Sequence, residues 1–116
     1  MNISDRQIGG VTVVTLKGSI DALTASVVSE RMDHLLHDGN VRLVADFDGV
    51  DYTSSAGLRV LLATVKEART RDGDLRLACV QPNVLRVLKL SGFTSILTLH
   101  DDVDAAIEGF AAAAAE

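Results

Sequence analysis

The run Asp46-Phe47-Asp48-Gly49-Val50-Asp51-Tyr52-Thr53-Ser54-Ser55-Ala56-Gly57-Leu58 joins an apolar strand to an amphipathic helix through acidic residues and paired serines. Upstream, Val41, Leu43, Val44 and Phe47 give a strand from Val41 to Phe47 of the mostly apolar kind found inside a sheet. The acidic residues from Asp46 to Asp51 predict a solvated turn. Downstream, a helix beginning near Ser55 puts Leu58, Leu61, Leu62 and Val65 on one face. A hydroxyl at a helix start can accept from unpaired backbone N–H groups. The same position is the positive end of the helix dipole, where a phosphate is accommodated. No candidate base stands nearby in sequence, so these hydroxyls read as a site acted upon.

Working outward, Ile3 to Ile8 and Val11 to Leu16 are apolar-rich runs joined by Gly9-Gly10, the pattern of a hairpin whose turn needs positive φ. Lys17-Gly18-Ser19 is expected to end the second strand. Val28, Met32, Leu35 and Leu36 then recur at helical spacing, with either Asp21 or Thr24 as cap, and Asp38-Gly39-Asn40 stops the helix. After the second helix, Arg71-Asp72-Gly73-Asp74 turns the chain into a strand holding Leu75, Leu77, Cys79 and Val80. Pro82 opens a third helix with Val84, Leu85 and Leu88. Ile96, Leu97 and Leu99 predict a last strand, and Asp101, Asp102 and Asp104 start a final helix whose alanine run, 111–116, is expected to fray. The order β-β-α-β-α-β-α-β-α implies an α/β domain with a largely parallel, mixed sheet of about five strands.

With 116 residues, the chain is expected to form a single domain spanning 1–116. A net charge of −5 argues against a protein built to neutralise a nucleic-acid backbone. Neither a signal segment nor an apolar run long enough for a membrane span is visible, and a cytoplasmic setting without membrane insertion is expected. Cys79 cannot form an intramolecular disulfide, being the single cysteine, and its apolar neighbours predict a buried, inert thiol.

The acidic stretch does not make a calcium loop, since its glycine falls too early and no glutamate closes it. Thr53 stands where a nucleophile elbow requires glycine. His34, His37 and His100 are scattered, and no Ser/His/Asp set, phosphate loop or metal-ligand spacing can be assembled. No catalytic residue, metal or cofactor is expected. The competing reading of Ser54 and Ser55 is a plain helix cap.

The chain resembles the STAS domain, in the form of a stand-alone bacterial anti-sigma factor antagonist. Three segments carry the resemblance: Gly18-Ser19-Ile20-Asp21; the strand Leu43 to Asp46; and Val50-Asp51-Tyr52-Thr53-Ser54-Ser55-Ala56-Gly57-Leu58-Arg59-Val60-Leu61-Leu62. The resemblance implies helices mainly on one face of the sheet. It implies binding to an anti-sigma factor that is also a GHKL-type serine kinase, phosphorylation at the start of the second helix, and a serine phosphatase that resets the cycle. The family usually has the phosphorylated residue just before the glycine, which here is Ala56; Ser55 is then the expected site and Ser54 the second. Asp21, Thr24, Asp46, Asp51, Thr53, Ser54, Ser55, Ala56, Gly57 and Arg59 are the implied partner-binding residues. Asp21, Asp46, Asp48 and Asp51 are expected near one end of the sheet. The alternative within the family is a STAS subunit of a lipid-transport ABC system or of a larger signalling complex.

Overall fold

Apolar side chains on the three inner strands point to both faces of the sheet, and both are covered. The computed structural model describes residues 1–114. Its sheet is formed by β1 (Asn2–Ile8), β2 (Val11–Ile20), β3 (Arg42–Thr53), β4 (Asp74–Ala78) and β5 (Thr98–His100), in that spatial order. Only β1 runs antiparallel, paired with β2 across the Gly9-Gly10 turn, where both glycines have positive φ. The remaining neighbours are parallel. Parallel strands laid down successively in one direction, joined by crossovers of one hand, put their helices on one side. Accordingly α1 (Ala22–His37), α2 (Ser55–Thr70) and α3 (Pro82–Leu90) share a core with Leu43, Ala45, Phe47, Leu75 and Leu77. Each of the buried leucines and Phe47 stabilises the domain by roughly 1.5–3 kcal/mol. The opposite face, with Val11, Val13, Val44 and Ala78, is covered by α4 (Val103–Ala114) through Ala106 and Phe110. Of the alanine run expected to fray, Ala111 to Ala114 continue α4, while 115–116 lie outside the described residues.

Four expectations are corrected. The predicted acidic turn is strand: β3 continues to Thr53, and β2 continues through Lys17-Gly18-Ser19 to Ile20, so that Ile20 pairs with Thr53. Register shifts at Lys17 absorb the polar residues, and Gly49 is required there because a Cβ would lie 2.7 Å from Lys17 Cγ. Since β4 stops at Ala78, opposite Asp46, the outer edge of β3 has no strand partner beyond that point. The side-chain amides of Gln81 and Asn83 donate instead to the carbonyls of Asp48 and Asp51. Cys79 and Val80 lie beyond the strand, Cys79 with a positive φ of 60°, and both are only half-buried. Ile96 and Leu97 precede β5, after a single 3-10 turn (Phe93–Ser95).

The faces of the first two helices are formed as their spacing requires. In α1, Ala25, Val28, Met32, Leu35 and Leu36 are buried. In α2 the stripe is turned slightly from the expected one: Leu61, Val65 and Ala68 are buried with Thr64, whereas Leu58 and Leu62 are half-buried.

Candidate functional site

The pairing of Ile20 with Thr53 ends β2 and β3 side by side, and the next bond, Ser54 N–H to the Ile20 carbonyl at 2.8 Å, locks the exits together. The N-termini of α1 and α2 are therefore neighbours. Asp21 caps α1, its Oδ1 accepting from the amides of Leu23 (3.0 Å) and Thr24 (2.9 Å). The Thr24 hydroxyl accepts from the Asp21 amide and donates to the Ser19 carbonyl, each at 2.8 Å. Both candidate caps thus act together as a capping box. The Thr24 amide and hydroxyl hold the Asp21 carboxyl below its usual pKa, so the cap is anionic at neutral pH.

Ser54 caps α2, its Oγ accepting from the Gly57 amide at 3.3 Å, and it is half-buried. Ser55 is the first helical residue; it is exposed, and its hydroxyl has no hydrogen-bond partner among the described residues. The two serines therefore differ: one hydroxyl is engaged in local structure and the other is presented. Thr53 is buried and donates to the Ser54 carbonyl. Gly57 is buried, and a Cβ there would strike Thr53 Oγ1 and approach Ile20 Cγ2 to 2.8 Å. This close approach, rather than any turn, fixes glycine at that position and seats the serines against β2.

Arg59 is exposed and, with Ala56, Val60 and Ala63 of α2 and Ala22, Ser26 and Glu30 of α1, lines an open groove of about 430 Å³ between the two helices. Asp51 is exposed and accepts from the Ser19 hydroxyl at 2.9 Å. Asp21, Thr24, Asp51, Thr53, Ser54, Ser55, Ala56, Gly57 and Arg59 thus belong to the paired exits of β2 and β3 and the first two turns of their helices.

Asp46 does not join them. It lies seven residues of strand, about 20 Å, before Thr53, and its neighbours Ala45 and Phe47 point to the α1–α3 core, which sends Asp46 to the opposite face. There it is beside Cys79 and accepts from the Asp48 amide at 3.0 Å. Burial, then the charges of Asp46 and Asp48, push the Cys79 thiol up, which disfavours the nucleophilic thiolate. The expected gathering of four carboxylates reduces to Asp21 and Asp51, because β3 is longer than its apolar residues indicate.

Three exposed apolar residues were missed in the sequence. Leu23 in the first turn of α1 is 83% exposed, and Tyr52, one residue before Thr53 on β3, is 53% exposed. Val27, one turn after Leu23, is also exposed. The signal was there: Leu23 and Val27 stand four apart on the side of α1 away from its buried stripe. His34 and His37 lie in the last turn of α1, at the opposite end from Asp21, and His100 packs against Arg76 and Gly109 of α4; none is hydrogen-bonded to Ser54 or Ser55 among the described residues. Among the described residues, no group of three His, Cys, Asp or Glu side chains could hold a metal. No helix among them is long and apolar enough to cross a membrane.

The STAS domain family model matches residues 2–106. BtrV of Bordetella bronchiseptica, whose name gives it provisionally as an anti-sigma factor antagonist, is 33% identical over 110 residues, covering 95% of each chain. An anti-sigma F factor antagonist of Paenibacillus polymyxa is 30% identical over 94 residues, 80% of each chain. The crystal structure of an anti-sigma factor antagonist from Mycobacterium paratuberculosis superposes with a TM-score of 0.85 at 26% identity, covering 93% of this chain and 92% of the other.

Proposed function

This chain belongs to the STAS domain family, and from that premise we propose that it is an anti-sigma factor antagonist that binds an anti-sigma factor with serine kinase activity and is released when Ser55 is phosphorylated. One observation carries the reading: an exposed, unengaged Ser55 hydroxyl at the paired starts of α1 and α2, with Leu23 exposed in the first turn of α1 and Tyr52 exposed one residue before Thr53. A hydroxyl that caps a helix, as Ser54 does, is withheld from modification by its bond to Gly57. Relatives named as anti-sigma factor antagonists over most of the chain's length support the same partner class.

A phosphate on Ser55 adds about −1.5 to −2 charges at neutral pH. Within the domain it meets the positive ends of two helices, each favourable by about 0.3–1 kcal/mol, against the charges of Asp21 and Asp51. The fold accommodates it. An apolar interface closing over Leu23 and Tyr52 does not, because it has to bury the new charge. The modification thus acts on the complex and not on the fold. ATP is bound by the kinase, and a separate serine phosphatase restores the hydroxyl.

The test is a calorimetric titration of the chain against purified GHKL-type anti-sigma kinases from the same genome. One of them binds the unmodified chain, and Ser55→Asp weakens that complex at least tenfold while leaving the melting temperature within about 2 °C. If none binds, or if Ser55→Asp binds as the native chain does, the reading is wrong.

A further inference from the structure

Charge is distributed unevenly along this acidic chain. None of its 16 acidic residues falls between Leu75 and His100, which hold Arg76, Arg86 and Lys89. Arg76 lies against the Phe110 ring beneath α4, but Arg86 and Lys89 are on the outside of α3. They share one helical stripe, at spacings of three and four, with Pro82, Leu85 and Leu90, and these five residues line a cleft of about 420 Å³. Leu90 is 82% exposed, while Val84 and Leu88 on the other side of α3 are buried in the core. The outer face of α3 is therefore an apolar strip framed by two cations, with no intramolecular partner among the described residues and no carboxylate on its own segment.

We propose that this face is a second docking surface for the same anti-sigma factor, receiving a segment that presents carboxylates on either side of an aliphatic side chain. The inference rests on the antagonist reading but uses different residues. Charge complementarity selects the occupant: Arg86 and Lys89 call for acids, and Pro82, Leu85 and Leu90 for a small apolar anchor between them. Continuity supports it too. The first turn of α3 is clipped to β3 by Gln81 and Asn83, bonded to the carbonyls of Asp48 and Asp51, so the face adjoins the strand that ends in the serines. One partner can span both. An anionic bilayer is the poorer match, since two cations on a chain of net charge −5 attract it weakly.

The experiment uses the kinase that binds in the titration above. Dissociation constants are measured for the native chain, the double variant Arg86→Glu/Lys89→Glu, Leu90→Ser and Ser55→Asp, with thermal melts of each. These α3 side chains point away from the core, so the variants melt with the native chain. The double variant weakens binding at least tenfold and flattens its salt dependence, and Leu90→Ser weakens it several-fold. Native affinity in both α3 variants overturns the inference; Ser55→Asp then still weakens binding if the antagonist reading is sound. Absence of binding by the native chain refutes both. Sedimentation with phosphatidylglycerol vesicles that is lost in the double variant, together with unchanged kinase affinity, overturns it in favour of lipid. Should the double variant unfold, Leu90→Ser decides alone.

Discussion

Replacing Gly57 with alanine sets two opposed effects against each other in the first turn of α2. At an unconstrained helical position the change stabilises by up to about 1 kcal/mol, through backbone entropy. Here the new methyl strikes Thr53 Oγ1 and comes within 2.8 Å of Ile20 Cγ2. Neither neighbour can step aside easily, because Thr53 is 5% exposed and bonded to the Ser54 carbonyl, and Ile20 is 1% exposed. Overpacking of this kind costs about 1–3 kcal/mol. The balance is a loss of about 1 kcal/mol, or about 4 °C in melting temperature for a domain of this size. It also lifts the serines away from β2. Urea denaturation checks the sign, and a double-mutant cycle checks the cause: Thr53→Ala removes the struck atom, so it is better tolerated in the Gly57→Ala chain than alone, by at least about 0.5 kcal/mol. Stabilisation by Gly57→Ala, or a cycle with no coupling, refutes the close-approach explanation of that glycine.

The two serines separate in the same assay: Ser54→Ala, which removes a cap, costs about 1 kcal/mol, whereas Ser55→Ala stays within about 0.5 kcal/mol. The carboxyl of Asp21 titrates below its ordinary 3.8, so its stabilisation is present above that pH and disappears as pH falls through the lower folded value. The difference in melting temperature between native and Asp21→Ala chains is therefore constant near neutrality and shrinks below pH 3.8. Burial, then the nearby Arg76, holds His100 below its ordinary 6.5, against the opposing charges of Asp101 and Asp102. Its Nε2 lies 3.3 Å from an Arg76 amine, and a Cβ on Gly109 of α4 would be 2.9 Å from the ring. The unfolded chain then binds the proton more readily, so stability declines as pH drops below 6.5 and His100→Gln removes that part of the slope. Melting temperatures across pH 5–8 measure it, and an identical slope in the variant contradicts it.

Element order was legible because periodicity changed cleanly along the chain: Val28, Met32 and Leu35 recur at helical spacing, while Val41 to Phe47 do not. The mixed sheet and its single antiparallel strand followed from Gly9-Gly10 and the alternation of strands with helices. The extent of β3 was not legible. Asp48, Gly49 and Asp51 have poor strand propensity, and their pairing depends on β2 extending in parallel and on amides supplied by Gln81 and Asn83, thirty residues later. That same hidden length removed Asp46 from the site. Asp21 and Thr24 looked like competing caps since one-residue reading cannot show reciprocity; the structure uses both. Leu23 and Tyr52 were overlooked because isolated exposed apolar residues are ordinary.

The most direct measurement is phosphate mapping by tandem mass spectrometry after incubation with the binding kinase and ATP, on the native, Ser54→Ala and Ser55→Ala chains. One phosphate on Ser55, retained in Ser54→Ala and absent from Ser55→Ala, is the result required, with the modified chain no longer held by the kinase. Modification at another residue, or a phosphorylated chain that stays bound, contradicts the account.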